Sequence, residues 1–130
     1  APEALREAAR SSDARIRTAA IGALGDQIQN LNDQEARQLL QDGLTDEDEE
    51  VRAEATTLMG KLNDSNWAVP LVLPNLRDGS PLVRKNAALA LMKLEDATVI
   101  PALEKCAEQE DDNTVTPILR LAISQLSRDA

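Results

Sequence analysis

Pro81-Leu82-Val83-Arg84-Lys85-Asn86-Ala87-Ala88-Leu89-Ala90-Leu91 decides how this chain is read. A proline suited to the first turn of a helix leads into a Val-Arg pair and then a run of Ala and Leu. Similar openings stand upstream at Val51-Arg52 and Ile16-Arg17, and downstream at Val115-Thr116, each followed by an Ala/Leu-rich run. The steps between them are 35, 32 and 32 residues. A period of that length marks a stacked-repeat protein, in which each unit buries its apolar side only against its neighbours. Four units then fill the 130 residues as one domain, with boundaries near 1–30, 31–63, 64–95 and 96–130.

Each unit reads as two helices, A then B. In the second unit Asn32 or Asp33 is a candidate N-cap for an A helix through Leu39-Leu40 that stops near Gly43. The acidic turn from Thr45 to Asp48 then leads into a B helix from about Glu49 to Leu62. Val51, Ala55, Leu58, Met59 and Leu62 fall on one face of it at helical spacing. The same pattern predicts helices over 3–10 and 13–29, 66–76 and 81–94, and 98–108 and 114–127. Pro70 and Pro101 are expected at the end of a first turn, and Pro74 is expected to kink its helix. Trp67 is the sole aromatic, with no Phe, Tyr or His. An apolar set of Ala, Leu, Val and Ile suits close helix packing and argues against a β-sandwich. The fold class is all-α.

The formal charge of −9, from 14 basic and 23 acidic residues, is the reverse of what phosphate binding needs. Nucleic acid and anionic membrane surfaces are therefore excluded as expected partners, and a basic protein or peptide fits better. The charge also serves solubility alone. No apolar run approaches the ~18–20 residues of a membrane span. The single Cys106 rules out an internal disulfide, and with Leu103 and Ala107 beside it reads as a buried small hydrophobe. The chain opens at Ala1, which reads as a processed or excised protein. The compartment stays open between cytoplasm and, after removal of a signal, periplasm. Without His, no Ser/His/Asp or Cys/His unit can be assembled, and no glycine-rich phosphate loop is present. Neither catalysis nor a cofactor is expected. Asp46-x-Asp48-x-Glu50 begins like a calcium loop, but Val51 and Thr57 stand where the turn Gly and the bidentate Glu are needed.

The stretch Ala68-Val69-Pro70-Leu71-Val72-Leu73-Pro74-Asn75-Leu76-Arg77-Asp78, followed by Pro81 to Leu91, resembles a HEAT repeat. It is most similar to the short bacterial variety also found in the phycobilisome-lyase-like subgroup. The resemblance covers nearly the whole chain, most strongly the third unit and more loosely the first and fourth. It implies a right-handed α-solenoid of about four helical hairpins, eight helices in all. It also implies a ladder between an Asp in each A–B turn and an Arg at the start of each B helix. The matching pairs are Asp46 with Arg52 and Asp78 with Arg84. Ser11 and Thr116 replace the Asp of the first unit and the Arg of the fourth, so the ladder is expected to be weakest at both ends.

In such solenoids the B helices line the concave surface that grips a partner. Projection at ~100° per residue puts four outward positions on each B helix. These are Thr18, Ala19, Gly22 and Asp26, then Ala53, Glu54, Thr57 and Lys61, then Lys85, Asn86, Leu89 and Lys93, and last Pro117, Ile118, Leu121 and Gln125. Lys85, Asn86, Leu89, Lys93, Ile118 and Leu121 are the candidate partner-binding residues. For the apolar Leu89, Ile118 and Leu121 three accounts stand: a docked partner, a native chain continuing past Ala130, or burial by the twist of the superhelix. Trp67 is expected to cover a seam between repeats. The acidic clusters 46–50 and 108–112 are expected on one edge, as helix caps or as a site for a basic segment. The expected function is a non-enzymatic protein- or peptide-binding scaffold. The alternatives are a structural segment of a longer array, or a lyase-like or chaperone accessory subunit for a chromophore-bearing protein.

Overall fold

A computed structural model of the chain describes residues 3–27 and 34–129. They hold eight α-helices: α1 (Glu3–Ala9), α2 (Ala14–Gln27), α3 (Gln34–Gly43), α4 (Glu49–Met59), α5 (Ser65–Val72), α6 (Pro81–Lys93), α7 (Ile100–Gln109) and α8 (Thr116–Asp129). No strand occurs among the described residues. The candidate caps Asn32 and Asp33 and the expected end of the first B helix at Gln29 lie outside them, as does the side chain of Asp26.

Local chemistry starts the helices. Asp48 accepts from the backbone N–H of Glu50 and Val51 at the head of α4. Asp64 does the same for Trp67 in α5, and the Ser80 hydroxyl for Val83 in α6, with Pro81 at the first helical position. A cap of this kind contributes about 1 kcal/mol. The A helix of the third hairpin departs from expectation. Pro70 falls inside α5 rather than at the close of its first turn. Pro74 does not kink an α-helix: the chain tightens into a 3-10 turn over Leu73–Arg77. A proline cannot send an N–H back four residues, so the α-ladder ends there and a shorter-range turn replaces it. In the fourth hairpin a 3-10 turn over Ala97–Val99 precedes α7 and leaves Pro101 in its first turn, where the missing donor costs little.

The even-numbered helices stack in series, α2 on α4, α4 on α6 and α6 on α8, each with the preceding odd helix against it. This is an α-solenoid with one continuous core, running through Leu24, Leu40, Val51, Met59, Val72, Leu91, Leu103, Leu119 and Leu126. Small residues set the distance between hairpins. A methyl group built on Gly60 would stand 2.8 Å from the Cα of Ala90, so α4 and α6 approach almost backbone to backbone.

Candidate partner-binding face and the ladder behind it

Three arginines join the hairpins on the A–B-turn edge. Arg17 sends Nε and Nη2 to the two carboxylate oxygens of Asp46, at 2.9 and 3.0 Å. Arg52 does the same to Asp78, at 2.9 and 3.0 Å, and Arg84 to Glu110, at 2.8 and 3.0 Å. The remaining nitrogen, Nη1, donates to a backbone carbonyl six residues earlier: Ser11, Asp46 and Asp78 respectively. Each carboxylate also accepts a backbone N–H two residues on, from Asp48, Ser80 or Asp112. Two-pronged charge-assisted bonds of this kind fix orientation as well as distance.

The pairing expected from sequence is thereby corrected. Arg52 and Arg84 meet the main chain of their own turns, and their forks reach the carboxylate one repeat further along. The same geometry makes Arg17 a full rung. Ser11 at its own turn supplies only a carbonyl, which any residue carries, and the carboxylate comes from Asp46. Glu110, not singled out by the six-residue spacing, closes the third rung. Thr116 ends the ladder, its hydroxyl donating to the carbonyl of Asp112.

Electrostatics follow from these contacts. Burial acts to raise the Asp46 carboxyl, but the Arg17 fork and the Asp48 N–H overcome it and hold the group below its ordinary value. The Arg84 fork lowers Glu110 in the same way, against the burial that opposes it. Arg17, Arg52 and Arg84 are each raised, first by the hydrogen bond to their carboxylate. The acidic clusters are thus partly engaged: Asp46 and Glu110 in rungs, Asp48 and Asp112 in capping turns. Glu47, Glu49, Glu50, Glu108 and Asp111 are left exposed. Among the described residues no group of three or more candidate ligands could hold a metal ion.

Sequence reasoning missed a buried polar bridge between the second and third hairpins. The Asn75 amide donates to the Thr56 hydroxyl at 2.9 Å and to the Leu44 carbonyl, while that hydroxyl donates to the Arg52 carbonyl at 2.7 Å. The available signal was a threonine in register with the apolar Ile21 and Ala88. Trp67 of α5 is half-buried at the seam with α3, where the Arg37 guanidinium lies 4.5 Å from its ring centre and also pairs with Asp64. Cys106 is buried, and burial raises its thiol, away from thiolate chemistry.

The candidate contact residues do not behave alike. Leu121 is 48% exposed. Leu89 and Ile118 are half-buried, and Ile118 packs on the core. Lys85 is half-buried, and Asn86 reaches across the seam to donate to the Ala53 carbonyl at 3.3 Å. That crossing corrects the placement of Ala53, which is buried at 4% exposure instead of facing outward. Lys93 and Leu121 come together, lining a shallow depression of ≈ 300 Å³ with Met92, Glu95 and Gln125.

HEAT repeats match this chain over residues 2–59 and 42–124. The chain belongs to the HEAT-repeat family. Its hairpins and their arginine rungs are the HEAT architecture at the level of individual bonds. Among characterised proteins it is similar to the bilin biosynthesis protein MpeU of Synechococcus sp. (strain WH8020), 36% identical over 127 residues. That match takes in 98% of this HEAT chain and 43% of MpeU, so the chain spans less than half the length of its relative. No helix among the described residues is long and apolar enough to cross a membrane.

Proposed function

We propose that this HEAT domain is a non-catalytic scaffold that holds a protein or peptide against the face formed by α6 and α8. The observation that carries the reading is the exposed Leu121 beside Lys93 in one depression. Leu121 is one of three large hydrophobics exposed among the described residues. An apolar side chain next to a flexible cation suits a segment with one apolar anchor and an acidic or polar flank. Lys85, Asn86, Leu89 and Ile118 lie along the same two helices and would extend that contact over the face. A partner with a basic stretch gains further from the net charge and from Glu47, Glu49, Glu50 and Asp111 on the turn edge.

The test is affinity capture from the source cell's extract with wild type and Leu121→Glu, matched for helix content by circular dichroism. A partner retained by wild type and lost by the variant supports the face; equal capture sinks it. A second reading, an accessory role toward a chromophore-bearing protein, is favoured by the similarity to a protein named for bilin biosynthesis. Mixing the purified domain with a bilin and recording absorbance separates the two: an unchanged spectrum counts against direct pigment handling.

A further inference from the structure

We infer that the open face of the α1–α2 hairpin is a stacking surface for another HEAT-like hairpin lying ahead of α1. The argument is one of register. Val51, Val83 and Val115 occupy equivalent positions on three B helices, and each is buried; their counterpart on α2, Ile16, is 46% exposed. Leu58, Ala90 and Ala122 form a second buried register, and Ala23 is its exposed member. On the A helices, Leu39 and Gly43 are buried, while their counterparts on α1 are the exposed Ala4 and the half-buried Ala8. These four odd members converge. With Leu5, Ala19 and Ala20 they line an open, mainly apolar groove of ≈ 830 Å³ between α1 and α2, which the Asp13–Arg15 pair also borders.

Within the molecule the same surface of every later repeat is covered by the hairpin before it, since α2 packs on α4, α4 on α6 and α6 on α8. The interface repeats its chemistry as well as its position: Gly25 of α2 faces Leu58, and Gly60 at the end of α4 faces Ala90. The occupant is therefore a hairpin whose B helix sets a small residue opposite Ala23. Ser11 stands where Asp46, Asp78 and Glu110 receive an arginine fork, so this seam carries no carboxylate rung of that kind. The far end is built differently. At the positions where Ile21 and Thr56 meet the next repeat, α8 carries the exposed Arg120, and in the Gly25 and Gly60 register it carries the exposed Ser124. An outer face needs such polar groups to stand in water. The C-terminal face carries them within these registers, whereas the registers of the N-terminal groove hold only Ala and Ile, its polar members Asp13 and Arg15 being paired with each other.

The test grafts a second copy of residues 34–64, the α3–α4 hairpin with its own connector, directly ahead of Glu3. A hairpin that docks is expected to gain helix content, raise the thermal midpoint by at least about 4 °C, and slow amide exchange over residues 16–23. Ile16→Glu with Ala23→Glu in the grafted protein should abolish all three gains. A graft that stays unfolded, or folds without raising the midpoint, overturns the inference, because a hairpin of this kind folds by docking. Sedimentation of the unextended chain supplies the other arm. A concentration-independent monomer agrees with the proposal, whereas a dimer dissolved by Ile16→Glu assigns the groove to a second copy and overturns it.

Discussion

Gly60→Ala should destabilise this protein even though its backbone would accept the change. Gly60 sits at φ −69° and ψ −17°, an ordinary helical conformation, so conformational entropy alone favours alanine by up to about 1 kcal/mol. Space decides otherwise. The added carbon would lie 2.8 Å from the Cα of Ala90, 3.0 Å from its Cβ and 3.4 Å from its carbonyl oxygen. Carbon atoms prefer about 3.5–4.0 Å, so α4 and α6 must part by roughly 0.7–1 Å, and each contact across the seam then forfeits a quarter to a half of its attraction. Main-chain atoms cannot rotate aside as a side-chain tip can. Overpacking costs about 1–3 kcal/mol in general. With the nearest atom a main-chain carbon at 2.8 Å, the cost here falls in the upper part of that range, about 2–3 kcal/mol, leaving a net loss of about 1–2 kcal/mol after the entropy gain. Urea unfolding followed by circular dichroism and by the fluorescence of Trp67 measures it. Gly22→Ala is the matched control: its new carbon would meet only the Glu54 Oε1 at 3.5 Å, and it should stabilise by about 0.5–1 kcal/mol. Equal or greater stability for Gly60→Ala than for wild type would refute the claim that backbone proximity sets the α4–α6 seam.

Arg52→Met should lower stability by about 2 kcal/mol, because it strips the fork from Asp78 and leaves the Asp46 and Glu47 carbonyls without their donor. Arg52→Lys should recover little of the loss, since an ammonium cannot serve two carboxylate oxygens and a carbonyl in one plane; full rescue by Lys would show that charge alone matters. Asp46 and Glu110 titrate below their ordinary values when folded, so their contribution is complete above about pH 5 and is lost as pH falls through the carboxylate range and below it. Urea midpoints measured from about pH 7 to pH 2.5 should fall accordingly, with a shallower fall in Arg84→Gln; identical slopes would remove Glu110 from the account. Glu95 follows α6 at φ +57°, a left-handed conformation that costs a side chain about 1 kcal/mol. Glu95→Gly should therefore raise stability by about 0.5–1 kcal/mol, and a thermal midpoint at or below wild type would contradict it.

The candidate site was less legible than the fold. Arg52, Arg84, Asp46 and Asp78 stand out as ladder residues through the resemblance to a HEAT repeat, but neither that resemblance nor their spacing says which carboxylate an arginine reaches. A six-residue interval within one chain segment suggested a local pair; the long guanidinium arm satisfies that interval with a main-chain carbonyl and spends its fork on the next repeat. Leu89, Ile118 and Leu121 looked equivalent on a helical projection. In the stack Leu89 and Ile118 are half-buried and Leu121 stays half in water. The projection also left Ala53 outside, where Asn86 of the following helix covers it.

The chain's own order of residues determined its periodic helical hairpins, most of their caps and the register of their buried faces. These depend on contacts three or four residues apart and on side chains bonding to nearby backbone. Tertiary structure alone decided which arginine meets which acid, how closely α4 approaches α6, and which members of each repeated register remain uncovered. Those outcomes rest on the rotation and spacing between successive hairpins, set by small residues such as Gly25, which faces the Leu58 side chain, and Gly60, which faces the Ala90 main chain, some thirty residues away. Ile16 shows the difference: its sequence context is that of Val51, Val83 and Val115, yet it stands 46% exposed where they are buried, because among the described residues no helix packs over that side of α2.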